Sequence, residues 1–402
     1  MKRFFLALLV LFLTSPAARG AEMTYAQARQ SLRPRQLPEF WVGDTGTLPA
    51  VWAKLARGRV QTIARSPGGR PLSLVTFGRP EPVRHQANFN SAVGGQDPAA
   101  YLDKAARRQP VVYFIGPVHG QEVEGLTGLV NLVQVMETGR DLRGRDQAGL
   151  RALGDQCRLL IVPTGNPDGV ARFEPRCLQG MSVDELNFWA QGTSRDNIII
   201  PWPISKRRHP FIGPEVGFMG CYFNDAGVNP MHDEFFAPMS AEAPAILKVA
   251  RDEGPDLAVS LHSHGNPPAV ERPAYVPLET QEQARAVAEA VYALLENRAL
   301  PHGSPPGVQS ESGKTPAPFN LTSAVYHSSG AAAFTFECAH GLAGPKMCQV
   351  SLEQILDIQL TLYEGMLRFA LDTKAQERRR QEADGRKAED RAAPDGPRKV
   401  PF

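Results

Sequence analysis

The feature that most constrains the fold is a set of four short apolar runs, rich in β-branched residues and separated by helical patterns. These runs are residues 111–115, 158–162, 257–261 and 332–336. Because each run is mostly apolar, both faces of the strand that it forms are expected to be buried. The segments 124–136 and 281–295 between them have helical periodicity. The sequence therefore predicts an α/β fold: a single domain with a mainly parallel or mixed central sheet and helices on both faces.

Polar motifs follow these runs directly. His-Gly-Gln-Glu at 119–122 follows the first run, and Asn-Pro-Asp-Gly at 166–169 follows the second. His262 comes directly after the third run, and Glu337 directly after the fourth. The carboxyl ends of parallel strands form the edge of a sheet where ligands bind. We therefore expect two histidines and two carboxylates to meet at this edge.

His119, Glu122 and His262 have the composition of a catalytic zinc site, namely two imidazoles and one carboxylate with a fourth position for water. Glu122 follows His119 by three residues at a strand-to-helix turn, so both can face the same side. Taken alone, His-x-x-Glu also fits a surface turn, and His262 fits a buried, hydrogen-bonded histidine. His264 is the neighbouring alternative ligand. We predict one Zn²⁺ per chain, held by His119, Glu122 and His262.

Glu337 is the predicted general base. It ends the apolar stretch Ala-Phe-Thr-Phe-Glu, where few other polar groups are available. Burial would raise its pKa and a nearby metal ion would lower it, and both effects suit proton transfer. A helix-capping or salt-bridged glutamate is the alternative interpretation.

Together these motifs resemble the zinc carboxypeptidase family related to carboxypeptidase A. The resemblance covers roughly residues 60–370 in the family's order, at 63–71, 119–122, 166–169, 261–263 and 334–337. It implies a peptidase with zinc on His119, Glu122 and His262. Glu337 would act as a base toward water and then as an acid toward the leaving amine. The family's carbonyl-polarising arginine would be Arg176, with Arg172 as second choice.

The sequence departs from the family where that family grips a substrate's terminal carboxylate. Met231-His232 stands in place of the family's Asn-Arg, and Thr315 in place of its tyrosine. We expect substrate contacts from Asn166, from His232 and from Tyr326, with Tyr326 replacing the missing tyrosine. An extra loop at 181–218 and the segment 229–236 would build a different specificity pocket.

The ends of the chain indicate export. Lys2-Arg3, ten apolar residues and a small-residue zone have the order of a signal peptide. The expected organisation is a signal peptide at 1–20, an N-terminal arm at 21–55, a catalytic domain at 56–373 and a disordered charged tail at 374–402. Secretion or a periplasmic location follows. No further run is long and apolar enough for stable membrane insertion.

The predicted function is a secreted zinc-dependent metallopeptidase that hydrolyses a peptide or amide bond. With 44 basic and 42 acidic residues, the net charge of +2 argues against a dedicated nucleic-acid binder. One alternative is a zinc amidase or deacylase acting on an N-acyl or cell-wall peptide substrate. Another is a non-catalytic binding module. A serine hydrolase is disfavoured because no Gly-x-Ser-x-Gly follows a strand. The oligomeric state stays open.

Overall fold

Strands and helices alternate along the chain in the computed structural model, which describes residues 23–32, 36–81, 86–101, 104–313 and 315–392. The strands are β1 Arg59–Arg65, β2 Pro71–Phe77, β3 Val111–Ile115, β4 Arg158–Val162, β5 Gly192–Ser194, β6 Val216–Met219, β7 Leu257–His264, β8 Ala269–Glu271 and β9 Ala332–Ala339. The helices are α1 Tyr25–Ser31, α2 Leu48–Trp52, α3 Phe89–Gly94, α4 Val123–Thr138, α5 Ala148–Gly154, α6 Pro167–Arg172, α7 Val183–Gln191, α8 Glu242–Glu253, α9 Leu278–Asn297, α10 Leu321–Ser329 and α11 Leu352–Ala392. The predicted signal peptide lies outside the described residues, as do 393–402 of the predicted tail.

The main sheet has the strand order β1-β2-β4-β3-β7-β9-β8. Its four central strands, β4, β3, β7 and β9, are parallel. The outer strands pair antiparallel, β1 with β2, β2 with β4, and β8 with β9. The central strands are the four runs that the sequence predicts, with β7 and β9 each three residues longer. The predicted α/β fold with a mixed central sheet is confirmed.

Helices cover both faces of this sheet. Alternate residues of β3 enter different cores: Val112 and Phe114 pack with α4, α9 and α11, whereas Tyr113 and Ile115 pack with α8 and α10. All of these side chains are buried. Each aliphatic or aromatic side chain of this size contributes roughly 1.5–3 kcal/mol when fully removed from water. Burial on both faces explains why these strands are mostly apolar rather than alternating.

Residues 40–42 of the N-terminal segment pack on helix α4. The Asn131 amide of α4 donates to the Phe40 carbonyl at 3.0 Å. The Thr127 hydroxyl donates to the Val42 carbonyl at 2.9 Å. Trp41, which lies between Phe40 and Val42 in the sequence, is buried. These contacts attach residues 40–42 to the buried helix α4.

The C-terminal helix is longer than predicted. Sequence periodicity indicates a packed helix at 351–372 and disorder from 374, but α11 continues to Ala392. Lys374 is buried and donates to the Lys104 carbonyl, so the helix still packs on the domain beyond 373. The residues that follow are mostly good helix formers. The helix thus extends into the segment for which disorder is predicted. Despite its length, neither α11 nor another described helix is apolar enough to cross a bilayer.

Candidate metal centre and active site

The carboxylate of Glu122 lies between two imidazoles. Its Oε1 is 2.9 Å from Nδ1 of His119, and its Oε2 is 2.9 Å from Nδ1 of His262. The side chains of all three residues are buried, and one potential ligand atom from each lies within 4.8 Å of the others. No other set of three or more His, Cys, Asp or Glu residues in the described part of the chain is this close. The structure therefore brings together the three residues that the sequence singles out.

Three separate elements position this cluster. His119 lies in the loop after β3, Glu122 is the N-cap residue of α4, and His262 lies in β7. The Glu122 side chain makes no capping hydrogen bond, so its carboxylate is not needed for the helix. Its burial also excludes a surface turn, the alternative interpretation of the His-x-x-Glu motif. His264, the alternative ligand, instead has Nε2 3.0 Å from the Pro267 carbonyl oxygen.

A close backbone contact fixes the loop that carries His119. A Cβ atom on Gly120 would lie 2.0 Å from the carbonyl carbon of Gly169, which no side chain permits. The Gly120 N–H also donates to the Cys221 carbonyl at 2.8 Å. The His-Gly-Gln-Glu and Asn-Pro-Asp-Gly motifs thus touch at Gly120 and Gly169, which explains the glycine at 120. A Cβ atom on Gly169 would instead lie 2.3 Å from the Cys221 carbonyl oxygen.

Asn166 holds the same loops together and does not face a substrate. Its amide donates to the Val118 carbonyl at 3.1 Å and contacts the Cys221 and Tyr222 carbonyls at 3.4 Å. Its Oδ1 accepts the Gly169 N–H at 2.8 Å. The side chain is fully buried. The structure therefore contradicts the predicted substrate contact, because the amide is already used inside the protein.

The charges at the cluster are strongly coupled. Burial acts against the Glu122 carboxylate, but His119 and His262 outweigh it and hold the pKa of Glu122 below its usual range. Burial lowers the pKa of His119 to about 4. Burial also disfavours a charged His262, yet the nearby Glu122 carboxylate raises the pKa of His262 overall. The cluster therefore contains an ionised Glu122 carboxylate beside at least one neutral imidazole.

The donor set fits a divalent metal ion. Oε2 of Glu122 and Nε2 of His119 are buried without a hydrogen-bond partner among the described residues. The 2.9 Å contact from Oε2 to His262 thus lacks hydrogen-bond geometry. Two imidazole nitrogens and a carboxylate oxygen converge here, and these are the ligand atoms of catalytic zinc sites. The unsatisfied oxygen is one that a metal ion would satisfy.

Glu337 lies beside this cluster. It is the register partner of His262 across β7 and β9, so the two side chains project to the same side of the sheet. Burial, followed by the charges of Glu122 and Glu271, raises the pKa of Glu337 to about 8 against the opposing effects of His262 and Lys206. Its carboxylate forms no ion pair or helix cap within the described residues. The salt-bridged or capping alternative therefore does not fit.

Neither candidate arginine acts on the cluster. Arg176 is exposed, and its guanidinium pairs with Asp44 of the N-terminal arm at 2.9 Å. Arg172 donates to the Gly220 and Phe223 carbonyls at 3.1 and 2.8 Å and pairs with Asp225. In this structure the Arg176 cation is directed to the arm, and its role on the substrate carbonyl stays a prediction.

The predicted substrate residues His232 and Tyr326 differ in their placement. His232 is close enough to the cluster for the charges of Lys206, His119 and His262 to act on it. Burial and these charges lower its pKa to about 3. It is therefore neutral at mildly acid pH, while a substrate contact stays a prediction. Tyr326 packs edge-on against Phe89, with ring centroids 5.6 Å apart, and its substrate role also stays a prediction.

Two residues that sequence reasoning missed complete the surroundings. Tyr222 stacks on His119 with ring centroids 3.8 Å apart. The Lys206 ammonium lies 5.5 Å from the ring centroid of Trp202 and 5.7 Å from that of Tyr222. Lys206 belongs to the extra loop that was predicted to form a specificity pocket, and Tyr222 follows it closely. The extra loop was the only sequence signal for Lys206 and Tyr222, since neither residue belongs to a motif.

Comparison with known proteins agrees with this site. The zinc carboxypeptidase family model matches residues 54–199, which include His119 and Glu122. The matched segment is 146 of the chain's 402 residues, so the similarity to zinc carboxypeptidases covers about a third of the chain. Residues His262 and Glu337 lie outside the matched segment, so their roles rest on the geometry described above.

The solved structures that the chain is similar to are metallocarboxypeptidases or related proteins. A metallo-carboxypeptidase from Burkholderia cenocepacia is 18% identical, with a TM-score of 0.49, over 81% of this chain and 67% of that one. Carboxypeptidase A from Helicoverpa armigera is 13% identical, with a TM-score of 0.48, over 87% and 78%. Bovine thrombin-activatable fibrinolysis inhibitor is 14% identical, with a TM-score of 0.47, over 81% and 95%. The chain spans about two thirds of the Burkholderia protein. No curated protein matches it.

Proposed function

We propose that this chain is a zinc-dependent hydrolase that cleaves a peptide or amide bond. The observation that carries the proposal is the convergence of two imidazole Nδ1 atoms on the Glu122 carboxylate, next to a second carboxylate, Glu337, that has no structural partner in the described residues. A purely structural cluster would need no second acid. The family match supports the same chemistry.

His119, Glu122 and His262 would hold one zinc ion. When bound, zinc supplies a Lewis acid that polarises a carbonyl group and lowers the pKa of water. The protein contributes a buried, low-dielectric setting in which such charges act strongly. Tyr222 orients the His119 imidazole by stacking on it.

Glu337 would move the proton. Its carboxylate accepts a proton from the attacking water while the water oxygen bonds to the carbonyl carbon. The same carboxyl group then donates this proton to the leaving nitrogen as the C–N bond breaks. Burial raises the pKa of Glu337 to about 8, which supports a group that both accepts and donates near neutral pH.

The substrate need not carry a free terminal carboxylate at the family's usual position. Met231 is apolar and buried there, and burial lowers the pKa of the neighbouring His232 to about 3. Neither side chain supplies a positive charge for a carboxylate. This observation favours the second candidate, an amidase or deacylase acting on an N-acyl or cell-wall peptide substrate.

The test is metal analysis and hydrolysis assays of the wild type and Glu337→Gln on a panel of peptides, N-acyl amino acids and their amides. The variant is expected to retain about one zinc per chain while hydrolysis falls by ~10²–10⁴-fold. Glu282→Gln, a change of an exposed glutamate on α9, is the matched control and should be fully active. Full activity of Glu337→Gln would remove Glu337 from the mechanism. Zinc binding without hydrolysis of any substrate by the wild type would support a binding module.

The protein is also proposed to be secreted or periplasmic. Residues 1–20 would be removed as a signal peptide, and residues 56–373 would form the catalytic domain. The start of the family match at residue 54 supports that boundary. N-terminal sequencing of the protein recovered from its producing cells tests the cleavage, and a retained Met1 would contradict it.

A further inference from the structure

We propose that Lys206 is a catalytic residue of this site, whose ammonium contacts the carbonyl oxygen of the scissile bond and stabilises the negative charge that develops there. The inference rests on the proposed hydrolase function. Addition of water places an electron pair on that oxygen, and collapse of the tetrahedral species returns the pair to carbon as the C–N bond breaks. A cation fixed beside the oxygen lowers the energy of the charged species.

Lys206 lies close to the metal-ligand cluster. Lys206 lies in a short 3₁₀ helix, Ile204–Arg207, and its ammonium is 5.7 Å from the ring centroid of Tyr222. Tyr222 in turn stacks on the ligand His119 at 3.8 Å. One aromatic ring thus separates the ammonium from a residue of the cluster. Trp202 packs on the same ammonium at 5.5 Å and partly shields it from water.

Buried hydrogen bonds fix this arrangement. Ser205, next to Lys206, is buried and donates its hydroxyl to Oε1 of the buried Gln191. Gln191 ends α7, and the Tyr222 N–H donates to the carbonyl of the adjacent Ala190 at 3.1 Å. The end of α7 therefore ties the segment carrying Lys206 to the residue that stacks on His119. The backbone N–H of Lys206 also donates to the Pro203 carbonyl at 3.0 Å.

The charge of Lys206 is available for a substrate. In the described part of the chain its ammonium forms no ion pair or hydrogen bond, whereas both candidate arginines are engaged by other groups. Burial lowers the pKa of Lys206, but the carboxylates of Glu122, Glu337 and Glu271 oppose this effect. A half-buried ammonium that faces carboxylates yet pairs with none can receive a further oxygen atom.

The competing interpretation is that Lys206 binds an anionic group of the substrate before reaction. The two roles differ kinetically. A contact to the developing charge affects kcat, whereas a contact to a terminal carboxylate affects KM and only for substrates that carry it. N-benzoylglycyl-phenylalanine and its C-terminal amide form a matched pair that separates these effects.

The experiment measures kcat and KM on both compounds, with zinc content, for the wild type, Lys206→Met, Lys206→Arg and Arg207→Met. Lys206→Met is expected to keep its zinc and to lose kcat by ~10²–10³-fold on both compounds. Lys206→Arg should recover much of this loss because it retains the positive charge. Arg207→Met removes an exposed charge at the next position and should leave both constants unchanged. A loss confined to KM for the free acid, or no loss, would overturn the proposal.

A binding measurement separates this inference from the proposed function. The phosphonate analogue of the amide carries an anionic oxygen in tetrahedral geometry, and its affinity for zinc-loaded protein can be measured by calorimetry even if turnover is slow. We expect Lys206→Met to bind it at least about tenfold more weakly than the wild type, with Lys206→Arg in between. Equal affinities would overturn the role of Lys206 alone. Absence of zinc from the wild type would overturn the proposed function and this assignment with it.

Discussion

The ring of Tyr222 lies almost parallel to the imidazole of His119, with an interplanar angle of 11°. On another side His119 meets the His262 imidazole edge-on, at a centroid distance of 4.8 Å. His119 is thus confined by two rings, while its Nδ1 faces Glu122. A side chain held in its binding orientation loses little freedom when it takes up a metal ion, so Tyr222 preorganises the cluster.

Replacing Tyr222 with alanine is therefore expected to weaken zinc binding about tenfold, since groups that orient metal ligands typically contribute 10–100-fold. Tyr222→Phe retains the stacked ring and should bind zinc almost as the wild type does. Competition with a chromogenic chelator measures both affinities. If Tyr222→Ala bound zinc as tightly as the wild type, the stacking of Tyr222 on His119 would have no part in metal binding.

His262 and His264 provide a matched pair for the metal site. His262→Ala removes an imidazole that faces Glu122, so zinc affinity should fall by more than about 100-fold, beyond the effect of losing an orienting group. His264→Ala removes a half-buried histidine whose Nε2 faces a backbone carbonyl, and it should keep its zinc. Metal analysis after dialysis reports the difference. Zinc loss in the second variant instead would assign the ligand to His264.

Asn166 is expected to matter for stability because it is the buried link between three loops. Asn166→Ala leaves the Val118 carbonyl without this donor and removes the cap on Gly169. The free energy of unfolding should fall by roughly 2–4 kcal/mol. Asn88→Ala removes only a cap at the exposed start of α3 and should lower it by about 1 kcal/mol. Urea denaturation compares the two variants, and equal losses would contradict the linking role.

Asp168 should make stability depend on pH in the acid range. It is buried and accepts hydrogen bonds from the Ser66 hydroxyl at 2.5 Å, the Gly68 and Asp225 N–H groups at 3.0 Å, and the Arg70 guanidinium at 2.8 Å. Burial opposes ionisation, but these donors outweigh it and lower the pKa of Asp168. The unfolded chain then binds a proton before the folded one as the pH falls. Stability from Asp168 is thus present above about pH 4 and lost as the pH drops toward the lowered pKa.

Asp168→Asn is the variant that tests this dependence. The amide cannot ionise, so the variant should be less stable than the wild type at neutral pH, and the difference should shrink as the pH falls below about 4. Asp196→Asn, which changes an exposed side chain, should follow the wild-type curve. Denaturant unfolding at several pH values provides the comparison. A constant gap between wild type and Asp168→Asn would exclude ionisation of Asp168 as the cause.

Local patterns were sufficient to predict the central strands. Strands β3 and β4 occupy the same residues as the apolar runs, since a strand buried on both faces is mostly apolar. The same reasoning placed His119, Glu122, His262 and Glu337 at one edge, because parallel strands end together. The end of α11 was missed, since its last turns are polar and their attachment depends on Lys374 and a distant carbonyl.

Partners in the loops could not be predicted in the same way. Arg176 and Tyr326 were chosen by their spacing from motifs, yet one pairs with Asp44 and the other packs on Phe89. No sequence pattern indicates Lys206, because it approaches the cluster by contacting Tyr222, sixteen residues later. Such contacts depend on the path of an irregular loop, which has no periodic pattern to reveal it.

The sequence by itself determined the four central strands and the set of residues able to hold a metal ion, because strand patterns and the ends of parallel strands are local properties. Only the tertiary structure decided which cation lies near that set. It brought Lys206 toward Tyr222 and turned Arg176 toward the N-terminal arm. The physical reason is that a charged side chain on a loop goes where burial, hydrogen bonds and opposite charges across the whole fold are most favourable, and no neighbouring residues encode that balance.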